Sequence, residues 1–372
     1  MSLKIAIVAP TLRYVGGQSV QADLYLRHWH RDPEVEAIFV PIDPPLPFWA
    51  AWAKQVRGLR TLFREPFYFA NLWRSLVLTD VAHIFASSYW SFLIAAAPAC
   101  LIARLRGNKV LLHYHSGDAR DHLLRFPSTV FVMGAVDELV VPTLYLHDVL
   151  CEFDLKPIVI PNLVDLSQFG YRTRHPLRPR FICTRGFSAY YNIDIVVRAF
   201  AEIKQAFPCA TLDLLGEGPL EPSVRKLVAD LALTDVAFRG PISRHDIGDY
   251  YDRADVFINA SSVDAMPVSV IEAFRAGTPV VTTSPEAMRY LVEHERTGLL
   301  SPVGDAKALA ANVVRLLHNA ALAETLSRNA YQESLKYDWS LIRGQWLKQY
   351  RRLVRGPIAI SGTASGEMDS AC

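Results

Sequence analysis

The segment Asp264-Ala-Met-Pro-Val-Ser-Val-Ile-Glu272-Ala-Phe-Arg-Ala-Gly-Thr-Pro-Val holds one carboxylate before a predicted helix start and a second about one turn inside it. Pro267 suits the first helical position, where its missing N–H costs nothing. The amides of Val268 and Ser269 would then project from the helix start, and Met266 and Pro267 would lead the chain past it. Unpaired amides and the helix dipole favour a diphosphate at that point. Glu272 is placed to accept two hydrogen bonds from a ribose diol, as acidic residues do in nucleotide sites. Without a ligand, the same residues make a helix with an acid in its second turn, which the dipole also favours.

A second phosphate-compatible feature follows the first apolar run. In Thr11-Leu-Arg-Tyr-Val-Gly-Gly-Gln, Gly16 and Gly17 let backbone amides approach a ligand just before a helix that begins near Ser19. A tight turn explains the same residues. No GxGxxG or GxxxxGK[ST] pattern occurs, which removes support for a dinucleotide or P-loop site. The chain has no DxD triplet and no His/Asp/Glu cluster at ligand spacing, so no catalytic metal and no cofactor are expected.

The elements that must position these residues alternate regularly. KIAIVAP, VEAIFVP, VAHIFA, KVLLHYHS and ELVVPT read as strands in the first half, and RFICTRG, ATLDLLGEG, DVAFRGP, VFINAS and TPVVTTS in the second. Helical segments separate them, which predicts an α/β fold with parallel sheets and right-handed crossovers. The polar stretch from Leu163 to Pro179 is the natural linker, with a boundary near residue 175. The expected organisation is an N-terminal domain over 1–170, a C-terminal domain over 177–337, a helix over 338–356 and a disordered tail over 357–372. Ile84 to Ala103 carries no formal charge over twenty residues. Its serines and Pro98 favour a buried strand and helix over a membrane span.

Composition sets the outer bounds. The 372 residues exceed one ordinary core and suit two α/β domains. A hydrophobic share of 51% with 20% charged residues is globular, and a net charge of +2 gives no argument for nucleic acid. Five scattered cysteines without CxxC fit a reducing, cytoplasmic compartment. The apolar run after Lys4 is too short for a signal peptide.

The segment from Asp264 to Glu272 resembles the E-x7-E signature of family 4 retaining glycosyltransferases of the GT-B class (glycosyl transferases group 1), with Asp264 in place of the first Glu. Other motifs resemble the same family in the same order: Gly16-Gly17, Tyr114-His115-Ser116-Gly117, Pro161-Asn162-Leu163-Val164-Asp165, Leu215-Gly216-Glu217-Gly218-Pro219 and Thr297-Gly298-Leu299-Leu300 with Gly304-Asp305. The resemblance covers about residues 3 to 355. It implies two Rossmann-like domains facing each other across a cleft, with the nucleotide mainly on the C-terminal one. The implied activity is metal-independent transfer of a sugar, with retention, from a nucleoside-diphosphate sugar (UDP favoured over GDP) to a glycan, lipid-linked or small-molecule acceptor. His115 would face the donor sugar, Asp264 would orient its hydroxyls, and Arg185 and the Gly216–Gly218 loop with Glu217 would lie at the diphosphate. His113 is expected deeper, as a core histidine.

Two departures matter. The family's usual Lys-Gly is here Tyr191-Asn192, so one of two cations expected at the leaving group is missing. The site would then rely on Arg185, the helix start and hydrogen bonds from Tyr191 or Asn192. Alternatively Arg13 supplies the charge, or activity has been lost and a binding subunit remains. The second departure is Glu286-Ala-Met-Arg-Tyr290 where the family has Gly-Gly-x-Pro-Glu, which leaves the donor sugar open. A metal-independent sugar-nucleotide epimerase is the rival enzyme reading.

Pro45 to Leu76 breaks the alternation. Trp49, Trp52, Val56, Leu59 and Phe63 form one helical stripe, with Lys54, Arg57, Arg60 and Arg64 off it. Such a segment suits either an anionic membrane surface or packing on its own domain.

Overall fold

The computed structural model describes residues 2–12, 17–45, 59–264 and 266–355, with only the backbone described at Leu59, Arg60 and Leu62. Gly16, Arg13, the stripe residues Trp49, Trp52 and Val56, and the tail from residue 356 lie outside the described residues.

Two compact units emerge. One comprises the chain up to Leu163 together with the helix Trp339–Arg355; the other is Val164–Asp338. The stretch expected as a linker is largely built into the second unit. Val164 and Leu166 pack with Met266 and Ile271, and Phe169 joins Tyr251, Phe257 and Phe274. Arg174 is buried and donates to the carbonyls of Tyr251, Ala254 and Ala276 at 2.8, 2.7 and 2.7 Å. Those carbonyls lie at the C-terminal ends of two helices, where backbone dipoles favour a cation.

The first unit carries a parallel sheet of β1 (Leu3–Ala9), β2 (Val35–Pro41), β3 (Val81–Ala86), β4 (Lys109–Tyr114), β5 (Glu138–Val141) and β6 (Ile158–Val159), in the order β2-β1-β3-β4-β5-β6. The continuous apolar runs of β1 and β3 are buried along almost their whole length, as strands covered on both faces must be. The helix Trp339–Arg355 buries Ile342, Trp346, Leu347, Tyr350 and Leu353 against Tyr25, Trp29, Phe85 and Leu111. Arg343 anchors its outer side to Asp32 and Glu34, the latter at 3.0 Å. The chain therefore returns to the first unit after completing the second.

The second unit holds β7 (Arg180–Cys183), β8 (Thr211–Leu215), β9 (Val236–Gly240), β10 (Val256–Asn259), β11 (Val280–Thr283) and β12 (Leu299–Ser301), again all parallel. Their order, β12-β11-β10-β7-β8-β9, reverses between β7 and β10. That switch point is where open α/β sheets bind ligands, at the carboxyl ends of the strands.

The uncharged stretch from Ile84 completes β3 and continues through a π-helical turn at Phe92–Ala96 into the helix Ala97–Leu105. No helix among the described residues is long and apolar enough to cross a membrane.

Candidate functional site

The loops leaving β7 and β10 meet at Arg185. Its guanidinium forms an ion pair with Asp264, both side chains being only 10% and 12% exposed. It also donates to Ser269 Oγ at 3.3 Å and Ser261 Oγ at 3.2 Å. Ser261 is buried and donates in turn to Asn259 Oδ1 at 2.8 Å, while Asn259 donates to Thr282 Oγ1 at 2.9 Å. Burial pulls the Arg185 pKa below its ordinary value. Guanidinium basicity is high enough that the group stays charged, so its carboxylate and hydroxyl partners offset the desolvation.

The Tyr191 ring lies under the same guanidinium, with Arg185 Cζ 4.4 Å from the ring centroid. An aromatic face thus lies against the cation, and cation–π attraction orients it. Asn192 follows with φ 45° and ψ 51°, the left-handed region. Glycine occupies that region freely and asparagine is among the few side chains that tolerate it, as Asn192 does here. Asn192 Nδ2 donates to Ala260 O at 3.0 Å, and the Ser262 amide donates to Tyr190 O at 2.8 Å. Both bonds tie the turn to the loop after β10.

Pro267 is not the first helical residue. Its φ of −72° suits a helix, but its ψ of 102° is extended, so it caps the helix Val268–Arg275 from outside. Val268 and Ser269 are therefore the first two helical residues, whose amides have no intrahelical acceptors. Glu272 lies one turn further in, where its Oε2 accepts from Tyr251 Oη at 3.0 Å. Burial raises the Glu272 pKa above the ordinary carboxylate value, partly opposed by Tyr251, Arg244 and Arg185. Tyr251 also bonds Ser269 O at 2.9 Å and Thr184 Oγ1 at 2.8 Å. One buried phenol thus joins the β7 loop, the helix start and the acid.

The Leu215–Pro219 loop supports this arrangement through its backbone. A Cβ on Gly216 would meet Arg185 O at 2.5 Å, and one on Gly218 would meet Phe187 O at 2.6 Å. Only glycine permits that approach. Glu217 contributes its carbonyl, which accepts from the Phe187 amide at 3.0 Å, while its side chain is exposed. Met266 is a buried packing group against Val164, Leu166 and Ile271.

In the first unit, His115 follows β4, and its amide donates to Ala86 O at 2.8 Å. Gln18, directly after Gly17, donates to Ala86 O at 2.9 Å and to His115 O at 3.4 Å. The helix start after β1 and the histidine after β4 are thereby joined beside the end of β3. The His115 ring stacks on Phe85 and lies beside His113 with centroids 4.1 Å apart. Burial lowers the His115 pKa to about 3, so the ring is neutral near pH 7. Behind it, His113 Nδ1 bonds His83 Nε2 at 3.2 Å, and His83 Nδ1 bonds Tyr350 Oη at 2.7 Å. His113 is the core histidine expected.

Arg185, Tyr191, Asn192, Asp264, Ser269 and Glu272 thus gather in one unit, while Gly17 and His115 gather in the other. Sequence reading missed Tyr251, Ser261, Asn259, His83 and Tyr350. The first three sit in or beside the helix and strand before Asp264, where apolar neighbours conceal polar roles.

Residues 174–333 match the sequence profile described as glycosyl transferases group 1. The amylovoran biosynthesis glycosyltransferase AmsK of Erwinia amylovora is similar over 58% of this chain at 28% identity, and the matched part spans 57% of that relative's length. In structure, the chain is similar to Anabaena HepE in complex with UDP-glucose, with TM-score 0.73 and 15% identity over 93% of this chain and 99% of HepE. Sucrose-phosphate synthase from Thermosynechococcus elongatus gives TM-score 0.71 and 20% identity over 95% of this chain and all of that one (100%). The C-terminal unit is thus similar to the glycosyl transferases group 1 profile, and the whole chain shares the two-sheet GT-B fold of these solved structures.

Proposed function

We propose that the chain is a retaining glycosyltransferase that uses a nucleoside-diphosphate sugar, UDP-linked in preference to GDP-linked. The observation that carries this reading is the grouping at the β7–β10 switch point. A buried Arg185, a helix start with open amides at Val268 and Ser269, and Glu272 one turn inside stand within one unit. Their chemistry fits a diphosphate followed by a ribose.

In the transfer, the bond between the anomeric carbon and the diphosphate oxygen breaks, and the acceptor oxygen bonds the same face of that carbon. The departing phosphate oxygen takes the acceptor's proton. Charge developing on that phosphate is met by Arg185 and the Val268–Ser269 amides, donors fixed before the reaction. Phosphate oxygens replace Asp264 as the partner of Arg185, and the freed carboxylate accepts from sugar hydroxyls. The neutral His115 ring and its carbonyl are assigned to the donor sugar. No resident metal or cofactor takes part in this scheme. The acceptor class is a glycan or a lipid-linked saccharide, in keeping with the name of the Erwinia relative. The reaction takes place on the cytoplasmic side.

A binding-only subunit is the second reading, favoured by the substitution of Tyr191 for lysine. Proton NMR of the full chain with a panel of UDP-sugars separates the readings. Slow release of UDP with an initially α-configured free sugar supports retaining transfer to water. Binding without release supports the second reading, and an epimerised sugar overturns both.

A further inference from the structure

We propose that the first unit docks on an anionic lipid bilayer through a surface made by the end of the helix Leu59–Ser75, the turn Leu76–Leu78 and the helix Ala97–Leu105. Trp73 and Val77 lie one turn apart on the first segment and are 45% and 56% exposed, with Leu78 at 60%. Leu101 and Leu105 lie one turn apart on the second helix and are 60% and 66% exposed. Large apolar side chains at helical spacing on the outside of a folded unit mark an interaction surface rather than scattered exposure.

Two contacts join the segments into one surface. The Arg106 guanidinium lies over the Trp73 ring, 4.7 Å from its centroid. The Asn108 side-chain amide donates to Leu76 O at 3.0 Å.

Charge selects the occupant. Arg74 and Arg104 are exposed beside these apolar groups, and Arg106 is half-buried against the tryptophan. No acid occurs from Pro66 to Thr79 or from Val81 to Gly117. The intervening Asp80 is engaged by the Lys4 amide at 2.9 Å. A protein partner commonly presents both signs of charge, whereas tryptophan, leucine and arginine without acids match the boundary between acyl chains and anionic headgroups. Each arginine near such a surface contributes about 1 kcal/mol, screened by salt. The surface reaches beyond the Pro45–Leu76 segment to a second helix, and it is independent of the sugar-transfer reading.

Co-sedimentation of the full chain with phosphatidylcholine vesicles, with and without phosphatidylglycerol, tests the assignment. The chain should pellet with the anionic vesicles at low salt and stay in solution with the neutral ones. Replacing Arg74, Arg104 and Arg106 by Gln should weaken partitioning roughly 100-fold. The Leu101→Glu/Leu105→Glu pair should abolish it while leaving circular dichroism and UDP-induced thermal stabilisation unchanged. A wild-type chain left in the supernatant overturns the proposal. So do equal binding to neutral vesicles, undiminished binding of the Glu pair, or a dimer in light scattering that the Glu pair dissolves.

Discussion

Arg185 lies between the carboxylate of Asp264 and the face of the Tyr191 ring, with its guanidinium carbon 4.4 Å from the ring centroid. The ring orients the cation, and the carboxylate balances its charge. Tyr191→Phe keeps the aromatic face and should leave turnover within about twofold. Tyr191→Ala should lower it roughly tenfold, the worth of a partly buried cation–π contact. Initial rates of UDP release from the preferred UDP-sugar check this, and equal rates for the alanine and wild-type enzymes would contradict it.

In the proposed mechanism, Arg185→Ala removes a donor that matters most when charge develops on the leaving phosphate. It should lower kcat roughly 100-fold or more while raising the Kd for UDP-sugar less. Single-turnover kinetics beside equilibrium binding separate the two quantities. A loss confined to Kd would assign Arg185 to ground-state binding only.

In the proposed nucleotide site, Glu272 should set an acid limit on UDP binding. Its carboxylate must be ionised to accept from the ribose, yet burial raises its pKa above the ordinary value of 4.5. UDP affinity should therefore fall on acidification through a midpoint above 4.5. The unliganded protein has the opposite linkage: stability from the protonated acid is present below 4.5 and lost as pH rises through the raised pKa. Glu272→Gln should remove the pH dependence of binding. Persistence of the same midpoint in that variant would assign it to another group.

The buried histidines on β3, on β4 and just after β4 make the first unit acid-sensitive. Burial lowers the pKa of His83 and His115 from 6.5 to about 3 and that of His113 well below 6.5. The unfolded chain binds more protons than the folded one in that window. Stability is complete above 6.5 and is lost as pH falls toward the lowered values, at about 1.4 kcal/mol per pH unit for each histidine. Urea midpoints from about pH 7.5 to about pH 5 check this, and a flat profile would contradict it. Tyr350→Phe leaves His83 without its helix partner and should cost about 1–3 kcal/mol.

Much of this was legible because parallel strands buried on both faces are continuous apolar runs. KIAIVAP, VAHIFA and VFINAS announce β1, β3 and β10 directly. The edge strands β6 and β12 have two and three residues, too few for any pattern to register. The positions of Ser269 at a helix start and Glu272 one turn inside were legible from the proline and the apolar spacing that follows it. The Asp264–Arg185 pair was not, since it joins loops after non-consecutive strands whose adjacency comes only from the sheet order. Tyr251 escaped for a related reason: its hydroxyl finds partners on three segments that converge only in the folded unit.

If the switch point of the second unit is a nucleoside-diphosphate site, calorimetric titration of UDP into wild-type and Glu272→Ala protein will show it. The wild type should bind, and affinity should weaken roughly 100-fold or more in the variant, two hydrogen bonds to a carboxylate being worth about 3 kcal/mol or more together. Unchanged affinity in Glu272→Ala, or no heat of binding in either protein, would contradict it.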